Sequence, residues 1–472
     1  MRKFNEDTRV KIPATIHFMK LGYKYLPKNT ELHDETRIVV SEFHSALEKI
    51  NNKKYSHEEV LEIVNELYAL SKINDKGASF YNRLINPVDK PKIIDFDCED
   101  NNTFAVINEL IFGNKGYALR KNGSFRPDVN ALINGIPLGF LEAKRPNNEG
   151  GIQAEFNRMR NVRLSNPDFQ RFFNMIQIAT FSNNMEYEND ITNSSSIEHV
   201  KAGSFYTTPN GQNTTFSYFR EEDPKKNGFL KISDEEIKNV LIDNGYDPEV
   251  ANTPEFNTNL DINTPCNSFI SSMFDKKRFL FFLKYGIVYV NGDAIQKHIM
   301  RYPQFFASQA MVKWFEVKKT GIIWHTQGSG KTELACMSIK MFRDIYAKKE
   351  IIPKFYYVVD RLDLLNQVSK DMTNRGVSIH AVACKSKFAD ALKVSSSVEM
   401  ENGVNGGLTV VNIQKFSDEI PTIKNEYDAK VQRIFFIDEA HRSYKSDGEF
   451  YKNLMLADPD GIYIALTGTP IL

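Results

Sequence analysis

Cysteine is scarce in this chain, and its few cysteines lie far apart. The four, Cys98, Cys266, Cys336 and Cys384, form no CxxC pair and no cysteine–histidine cluster. This spacing supports neither a zinc site nor a disulfide framework. We therefore expect a protein of the reducing cytoplasm.

Long apolar runs are also missing. The longest are about five residues, such as FLFFL at 279–283, whereas about 20 residues are needed to cross a bilayer. The opening MRKFNEDTRV has basic residues but no apolar stretch after them, so no signal peptide is predicted. We expect no membrane partner.

An excess of charge of either sign is absent, because 60 basic residues balance 60 acidic ones. A simple nucleic-acid-binding domain is usually basic, so any DNA contact must come from local patches or from partner subunits. The composition, with 41% hydrophobic and 25% charged residues, is that of a globular protein. A length of 472 residues predicts two or three domains.

The pattern of predicted elements changes along the chain. Helical and strand-like segments are mixed before residue 224, and proline and asparagine then interrupt a helical region over 224–265. From Tyr302 onward, apolar strands alternate with helices, which indicates a parallel sheet with helices on both faces. We predict one domain over 1–255 and a second over 256–472.

A glycine-rich segment, HTQGSGKT, lies between a predicted strand and a predicted helix. Its backbone N–H groups can surround phosphate oxygens, and the helix that follows adds its positive end. Lys331 would reach the β- and γ-phosphates of ATP, and Thr332 would bind Mg²⁺. His325 stands where such loops usually begin with glycine. The predicted nucleotide-binding residues are Thr326, Gln327, Gly328, Ser329, Gly330, Lys331 and Thr332.

Two acids follow the apolar stretch IFFI farther along the chain. Asp438 would hold the metal of the nucleotide, and Glu439 would polarise the attacking water. The alternative is a solvated turn after a buried strand. Gln304 is a candidate for contact with the adenine, although an ordinary helix glutamine is the alternative. The later TGTP, residues 467–470, fits a segment that couples nucleotide to DNA.

A second acidic constellation lies in the N-terminal half. Asp128 precedes the turn signal Asn134-Gly135, and Glu142 and Lys144 follow it. Glu142 and Lys144 share one face of a strand because side chains alternate. A plain two-residue loop would pair Asp128 with Leu141. We therefore predict a longer loop or a bulge that brings Asp128 opposite Glu142.

This arrangement suits cleavage of a phosphodiester bond. Two carboxylates, Asp128 and Glu142, can hold Mg²⁺, which neutralises charge at phosphorus and acidifies a bound water. Lys144 can orient that water or stabilise the developing charge. Glu6, on the first predicted helix, is a candidate further ligand. The alternatives are an exposed hairpin with an ordinary Glu–Lys pair and, for Glu6, an acid favoured by the helix dipole.

Three arginines on the helix predicted over 157–173 form a further candidate feature. Arg158, Arg160 and Arg163, near Lys144 and Arg145, could face the DNA phosphates. The alternative is a solvated helix face.

Both constellations resemble known families. The motifs from Arg301 onward resemble superfamily 2 helicases. The pattern Asp-x(13)-Glu-x-Lys within RPDVNALINGIPLGFLEAKRP resembles the nuclease domain of type I restriction enzyme R subunits. The resemblance implies an α/β fold, with an N-terminal PD-(D/E)xK nuclease domain followed by a RecA-like doubly wound parallel-sheet domain. One departure is the absence of the tyrosine that family members often carry four residues after a glutamine such as Gln153.

A nuclease domain followed by a helicase domain, in that order, strengthens the resemblance to type I R subunits. The resemblance implies a subunit that pumps double-stranded DNA with ATP and cuts it with Mg²⁺. The resemblance implies partner subunits for modification (methyltransferase) and specificity. We expect an N-terminal fragment with little ATPase activity, because a second RecA-like domain would complete the nucleotide site. The alternatives are another helicase–nuclease fusion, such as a type III restriction or DNA repair enzyme, a non-catalytic interaction subunit, and an ATPase with a structural, non-cleaving N-terminal domain.

Overall fold

The chain divides into two compact units in a computed structural model. The first comprises Met1–Ile287 with Ile295–Ile299, and the second comprises Val288–Ala294 with Met300–Leu472. This division falls later than residue 255. The residues that the structure describes are 5–112, 125–146, 150–189, 200–317, 319–359, 361–382, 407–412, 431–438, 454–456 and 458–469.

Helices from both ends of the first unit pack together, which explains the late boundary. The hydroxyl of Tyr23, just after the first helix, donates to the carbonyl of Phe274 at 2.8 Å. The α-helices of this unit are α1 (Ile12–Lys20), α2 (Val40–Asn51), α3 (His57–Ser71), α4 (Ala78–Ile85), α5 (Gly151–Arg158), α6 (Pro167–Met175), α7 (Asp234–Asp243), α8 (Pro254–Asn259), α9 (Pro265–Phe274) and α10 (Lys276–Tyr285).

Short turns of other helix types complete the helical part of this unit. Asp7–Lys11 and Met159–Arg163 are π-helical, and Glu99–Asn101 and Pro248–Asn252 are 3₁₀. The first π turn leads directly into α1, and the second continues α5.

Local chemistry sets several helix ends. Asn166 caps α6 by accepting from the Asp168 N–H at 3.0 Å, and Pro167 occupies the first turn, where its missing N–H costs nothing. The prediction of one helix over 157–173 is therefore wrong, because the chain breaks between the π turn and this cap. Arg37 has φ of 60°, which is outside the helical region, and α2 begins after it, at Val40.

A mixed sheet forms the centre of the first unit. Within the described residues, seven strands lie in the order β1-β2-β3-β4-β5-β8-β9. The pairs β1–β2 and β4–β5 are parallel, and the other neighbours are antiparallel. The strands of this unit are β1 (Lys24–Leu26), β2 (Phe104–Asn108), β3 (Val129–Ile133), β4 (Ile136–Ala143), β5 (Ile178–Ser182), β6 (Glu188–Asn189), β7 (Val200–Ala202), β8 (Ser204–Thr207) and β9 (Ser217–Tyr218).

Aromatic rings fill the core between this sheet and its helices. Phe156 of α5 stacks on Phe216 with ring centroids 3.9 Å apart, and Phe172 of α6 lies 3.6 Å from Phe112. Every residue of β3 and β4 is buried. The hairpin that carries the acids is therefore held rigidly on both faces.

The second unit is built on a parallel sheet. Within the described residues, six strands follow the order β12-β17-β16-β13-β15-β14, and every pair is parallel. All carboxyl ends of these strands therefore meet at one edge, as in α/β folds. The elements are α11 (Tyr302–Trp314), β12 (Thr320–Trp324), α12 (Lys331–Ala347), β13 (Ile352–Val359), α13 (Leu362–Asn374), β14 (Ile379–Val382), β15 (Leu408–Asn412), β16 (Val431–Ile437) and β17 (Ile462–Thr467).

Two short strands, β10 (Ile287–Val290) and β11 (Gln296–Ile299), lie where the chain passes from one unit to the other. Among the helices in the described ranges, none is long and apolar enough to cross a membrane.

Candidate functional site

The hairpin register brings the first two acids together. Asn134 and Gly135 both have positive φ, 51° and 74°, as a two-residue type I′ turn requires. The pairing then shifts past Leu138, so that Val129 faces Leu141. One residue further, this register places Asp128 across from Glu142. The predicted pairing is thus confirmed, and the device is a tight turn followed by a β-bulge.

The two carboxyl groups, Asp128 and Glu142, lie within hydrogen-bonding reach of each other. Burial raises the pKa of Glu142 to about 7, and the neighbouring Asp128 adds to the rise. Burial also raises the pKa of Asp128, against the opposing effect of Lys144. One oxygen of Asp128 is fixed by the Ala143 N–H at 2.8 Å.

Lys144 follows directly on β4 and points its ammonium at three carboxylates. Its Nζ lies 3.7 Å from Glu142 Oε2 and 3.3 Å from Glu155 Oε2, and donates to the Ala143 carbonyl at 2.8 Å. Burial opposes its charged form, but Glu142, Glu155 and Asp128 outweigh burial and raise the pKa of Lys144. The amine is therefore a fixed cation.

Glu6 is brought to the same place from the start of the chain. Burial raises its pKa, and Lys144 and Glu142 are among the charges that act on it. The adjacent π turn is anchored by Lys11, whose Nζ lies 2.8 Å from both Asp7 and Glu109. Glu109 in turn donates its N–H to the Asp128 carbonyl at 3.1 Å.

The sequence analysis did not identify Glu155 as part of the site, and it assigned Arg163 to a patch facing DNA. Glu155, on α5, is only 3% exposed and contacts Lys144 and Arg163. Arg163 bridges Glu155, at 2.8 Å, and Glu142 through one nitrogen. Nothing in the linear sequence ties Glu155 to a residue eight positions away.

The expected patch of three arginines is therefore wrong for Arg163, which is buried among acids and not presented to solvent. Arg160 donates to the Thr214 carbonyl at 2.8 Å, and only Arg158 stays largely exposed. The three arginine side chains therefore lie in three different environments and do not share one face of the helix.

A divalent metal fits the donor set of the hairpin. The described residues contain no group of three His, Cys, Asp or Glu side chains that could hold a metal by themselves. Two buried carboxyl groups next to each other are nevertheless what a cation would stabilise, because its positive charge would offset their mutual repulsion and their loss of water. Mg²⁺ commonly uses one or two carboxylates and completes its shell with water.

The glycine-rich segment forms a loop between β12 and α12. Gly328 and Gly330 have φ of 78° and 81°, and the Ser329 N–H donates to the Thr326 carbonyl at 3.2 Å. Ser329 Oγ is buried and has no hydrogen-bond partner within the described structure. An unpaired hydroxyl inside a loop of this shape fits a phosphate oxygen. Thr326, Gln327 and Gly328 are exposed, and Lys331 and Thr332 open α12.

Gln304 lies against this loop. Its Nε2 donates to the Gly330 carbonyl at 2.9 Å, and its Oε1 accepts from the Arg301 N–H at 2.8 Å. The side chain is fully buried. The oxygen and the nitrogen of the Gln304 amide are thus both hydrogen-bonded to the backbone. Its contact with adenine stays a prediction.

Asp438 and Gly468 lie at the carboxyl edge of the parallel sheet, after β16 and β17. Asp438 follows β16, and its Oδ2 accepts from the Tyr357 hydroxyl at 3.2 Å. Gly468 lies beside the glycine-rich segment, residues 326–332, which we call the phosphate loop. A Cβ built at Gly468 would be 3.7 Å from Lys331 Nζ. Glu439 lies outside the described residues, so its predicted role stays a prediction.

Comparison with known proteins matches one family model to each half of the chain. The family model described as type I restriction enzyme R protein N terminus matches residues 3–188, which contain Glu6 and the hairpin. The model described as SWI2/SNF2 ATPase matches residues 303–472. The N-terminal part of the chain is therefore similar to type I restriction enzyme R proteins, and its C-terminal part is similar to SWI2/SNF2 ATPases.

Curated relatives of the chain carry names that agree with the N-terminal match. It is 26% identical to MjaIXP, a type I restriction enzyme endonuclease subunit of Methanocaldococcus jannaschii, over 99% of this chain and 43% of the relative. It is 24% identical to the HindI endonuclease subunit of Haemophilus influenzae, over 81% of this chain and 33% of the relative. The chain thus spans less than half the length of these relatives.

A solved structure, the Sulfolobus solfataricus SWI2/SNF2 ATPase core in complex with dsDNA, is 18% identical and covers 36% of this chain and 31% of that chain. Its TM-score is 0.26, which is too low to support any further argument. The α/β fold of the second unit rests instead on its own parallel strand order.

Proposed function

We propose that the first unit cuts DNA phosphodiester bonds and that the second binds and hydrolyses ATP to move along DNA, as parts of a type I restriction endonuclease. The observation that carries the first half is the bulged register, which sets Asp128 across from Glu142. The names of the curated relatives support the same activity. The natural division between the two functions is the unit boundary near Ile287.

In the first unit, Asp128 and Glu142 would bind Mg²⁺, and Glu6, whose pKa responds to the charges of Lys144 and Glu142, would add a ligand or hold a metal-bound water. The bound ion would supply charge neutralisation at phosphorus and a water of lowered pKa. The ammonium of Lys144, fixed as a cation, would orient that water or stabilise negative charge on the phosphate. The Ala143 N–H keeps the Asp128 carboxylate aimed along the hairpin.

In the second unit, the loop from Thr326 to Gly330 would wrap the ATP phosphates. Lys331 would neutralise the β- and γ-phosphates, and Thr332 and Asp438 would share the nucleotide-bound Mg²⁺. Glu439 would polarise the attacking water. Gln304 would keep the loop in shape and contact the adenine.

The partners of such an enzyme would be double-stranded DNA and the modification and specificity subunits of the restriction complex. It would act in the cytoplasm. The chain's net charge of zero supports a role for partner subunits, because a chain that bound DNA on its own would usually be basic. The partner subunits would make the sequence-specific contacts.

Nicking of supercoiled plasmid tests the nuclease assignment. The full chain is incubated with plasmid and Mg²⁺ or Mn²⁺, alone and with modification and specificity subunits. Metal-dependent nicking is expected, and Glu142→Gln or Lys144→Ala should lower its rate at least about 100-fold, since each removes charge from the reacting centre. Glu66→Gln on α3 is a matched control, because Glu66 pairs with Arg83 and contributes nothing to the site.

The proposal fails if nicking survives in both Glu142→Gln and Lys144→Ala. It also fails if Mn²⁺-soaked crystals show no anomalous density between the Asp128 and Glu142 carboxylates.

A further inference from the structure

Glu155 is a buried carboxylate that the chemistry proposed above does not use. It is 3% exposed, as is Glu142, and it lies on α5 beside the hairpin. Its Oε2 is 3.3 Å from Lys144 Nζ, and its Oε1 is 2.8 Å from Arg163 Nη1. Both cations also contact Glu142. Two acids thus share the same two cations.

Arg163 is held in place by more than its ion pairs. Its guanidinium lies 4.4 Å from the centre of the Phe125 ring, and the residue is 8% exposed. A rigid, buried guanidinium holds its positive charge at a fixed position. Removing its acid partners would destabilise the fold, because the buried charge would be left uncompensated.

The π turn explains how Glu155 and Arg163 come to face each other. In a continuous α-helix, residues eight apart point about 80° away from one another, because each residue turns the chain by about 100°. A π turn takes up one additional residue. The pair therefore behaves as if it were seven apart, about 20° from alignment. The Leu164 N–H, which bonds to the Met159 carbonyl at 2.8 Å, marks this turn.

Binding of a metal ion would change the balance of charge around Lys144 and Arg163. A divalent ion on Asp128 and Glu142 would draw the Glu142 carboxylate toward itself and would repel Lys144 and Arg163. Those two cations need another acid close by, or they would either leave or compete with the ion for Glu142.

We propose that Glu155 is a positioning residue that takes over Lys144 and Arg163 when Glu142 turns to a divalent metal. The inference rests on the proposed metal site and deepens it. Without Glu155, both cations stay on Glu142 and oppose metal binding. Without Arg163, one competitor is gone. Without both, the opposing charges are removed as a pair.

Mn²⁺ titration of the full chain by calorimetry, without nucleotide, tests this inference apart from activity. The relevant site is the one whose heat disappears in Glu142→Gln. Glu155→Gln, which keeps shape but removes charge, should weaken Mn²⁺ binding at this site by roughly 10- to 100-fold, as for other residues that orient metal ligands. Arg163→Gln should bind Mn²⁺ at least as tightly as the unchanged chain. The double variant should return to within about threefold of the unchanged chain, because two opposite charges are lost together.

The rescue in the double variant separates positioning from a structural role, since removing two buried groups would only add structural damage. Glu66→Gln with Arg83→Gln is the matched pair elsewhere, and it should leave Mn²⁺ affinity unchanged. The inference is overturned if Glu155→Gln binds Mn²⁺ normally, if Arg163→Gln alone weakens binding, or if the double variant is as weak as Glu155→Gln. A chain with no Glu142-dependent Mn²⁺ site overturns the metal site itself and this inference with it. Normal Mn²⁺ binding without plasmid nicking would instead overturn the nuclease activity alone.

Discussion

Single residues in this protein change character when they are buried. Glu142 would be an ordinary surface acid in an isolated hairpin, but here it is 3% exposed and its pKa rises to about 7 because of burial and Asp128. The carboxylates around Lys144 raise its pKa as well, and for an amine this favours the charged form. The residue types are visible in the sequence, whereas their protonation depends on neighbours that the fold supplies.

His17 on α1 illustrates the same effect away from the site. It is 1% exposed, its Nε2 lies 2.7 Å from Ser271 Oγ, and its Nδ1 has no hydrogen-bond partner within the described structure. Burial, followed by the charges of Lys20 and Lys225, lowers the pKa of His17 to about 3. The folded protein therefore holds this ring neutral where the unfolded chain would protonate it.

A pH dependence of stability follows from this lowered pKa. Below the unfolded value of about 6.5, the unfolded chain binds a proton that the folded chain refuses, so His17 removes stability as pH falls from about 6.5 to 3. The loss is at most about 1.4 kcal/mol per pH unit. Melting temperatures measured from pH 7.5 to pH 5 should fall less steeply in His17→Gln than in the unchanged chain.

The partly exposed His44 on α2 supplies the comparison. His44→Gln should keep the steep fall, and equal slopes in all three proteins would show that His17 is protonated without cost.

Elements place these residues through small irregularities. A β-bulge corrects the register of the acidic hairpin, and a π turn aligns Glu155 with Arg163. The bulge was predictable, because the spacing between Asp128 and Glu142 fits no plain two-residue turn. The π turn was not, because no residue type signals it and its effect appears only once α5 lies against the hairpin.

The phosphate loop offers a test at this scale. Gly330 has φ of 81°, and a Cβ there would lie 2.6 Å from Gln304 Nε2, which is buried and bonded to backbone. Gly330→Ala therefore adds a clash to the backbone strain of about 1–2 kcal/mol that any side chain meets at positive φ. Binding of a fluorescent ATP analogue, followed by anisotropy, should weaken roughly tenfold or more, which corresponds to about 1.4 kcal/mol.

Gly376 isolates the contribution of the clash. It has φ of 77° with nothing within 4 Å of a built Cβ, so Gly376→Ala carries the backbone strain alone. Nucleotide binding should stay within about twofold of the unchanged chain. Equal losses in both variants would mean that the Gln304 contact does not shape the loop.

At the scale of the whole molecule, the two candidate sites lie in different units and consist of different sets of side chains. The acidic hairpin belongs to a mixed sheet, and the phosphate loop belongs to a parallel sheet. Each site should therefore respond to its own ligand, because a ligand stabilises only the state and the unit that bind it.

Differential scanning calorimetry can separate the two responses. Mn²⁺ without nucleotide should raise a transition that loses this response in Glu142→Gln, and ATP with Mg²⁺ should raise one that loses it in Lys331→Ala. At about 100 times the Kd, the expected stabilisation is about 2.7 kcal/mol. Each variant should keep the other response. Loss of the Mn²⁺ effect in Lys331→Ala would contradict the assignment of two separate sites.

Residue types and their spacing along the chain were enough to predict the two candidate sites in outline. Asp128, Glu142 and Lys144 are linked by one tight turn, and the residues from Thr326 to Thr332 form one continuous loop. Such groups come together through local backbone geometry, which residue type and spacing control directly. For the same reason, the alternation of strands and helices after Tyr302 predicted the parallel sheet.

The packing of distant elements, in contrast, sets which further charged residues join the Asp128–Glu142 site. Arg158, Arg160 and Arg163 look alike in the sequence, but only Arg163 is buried and contacts both Glu142 and Glu155, whereas Arg158 is largely exposed and lies 3.8 Å from Glu155. That choice depends on the rotation of one helix against a sheet and on which groups lose their water. Neither is encoded by neighbours along the chain, because both arise when distant elements pack.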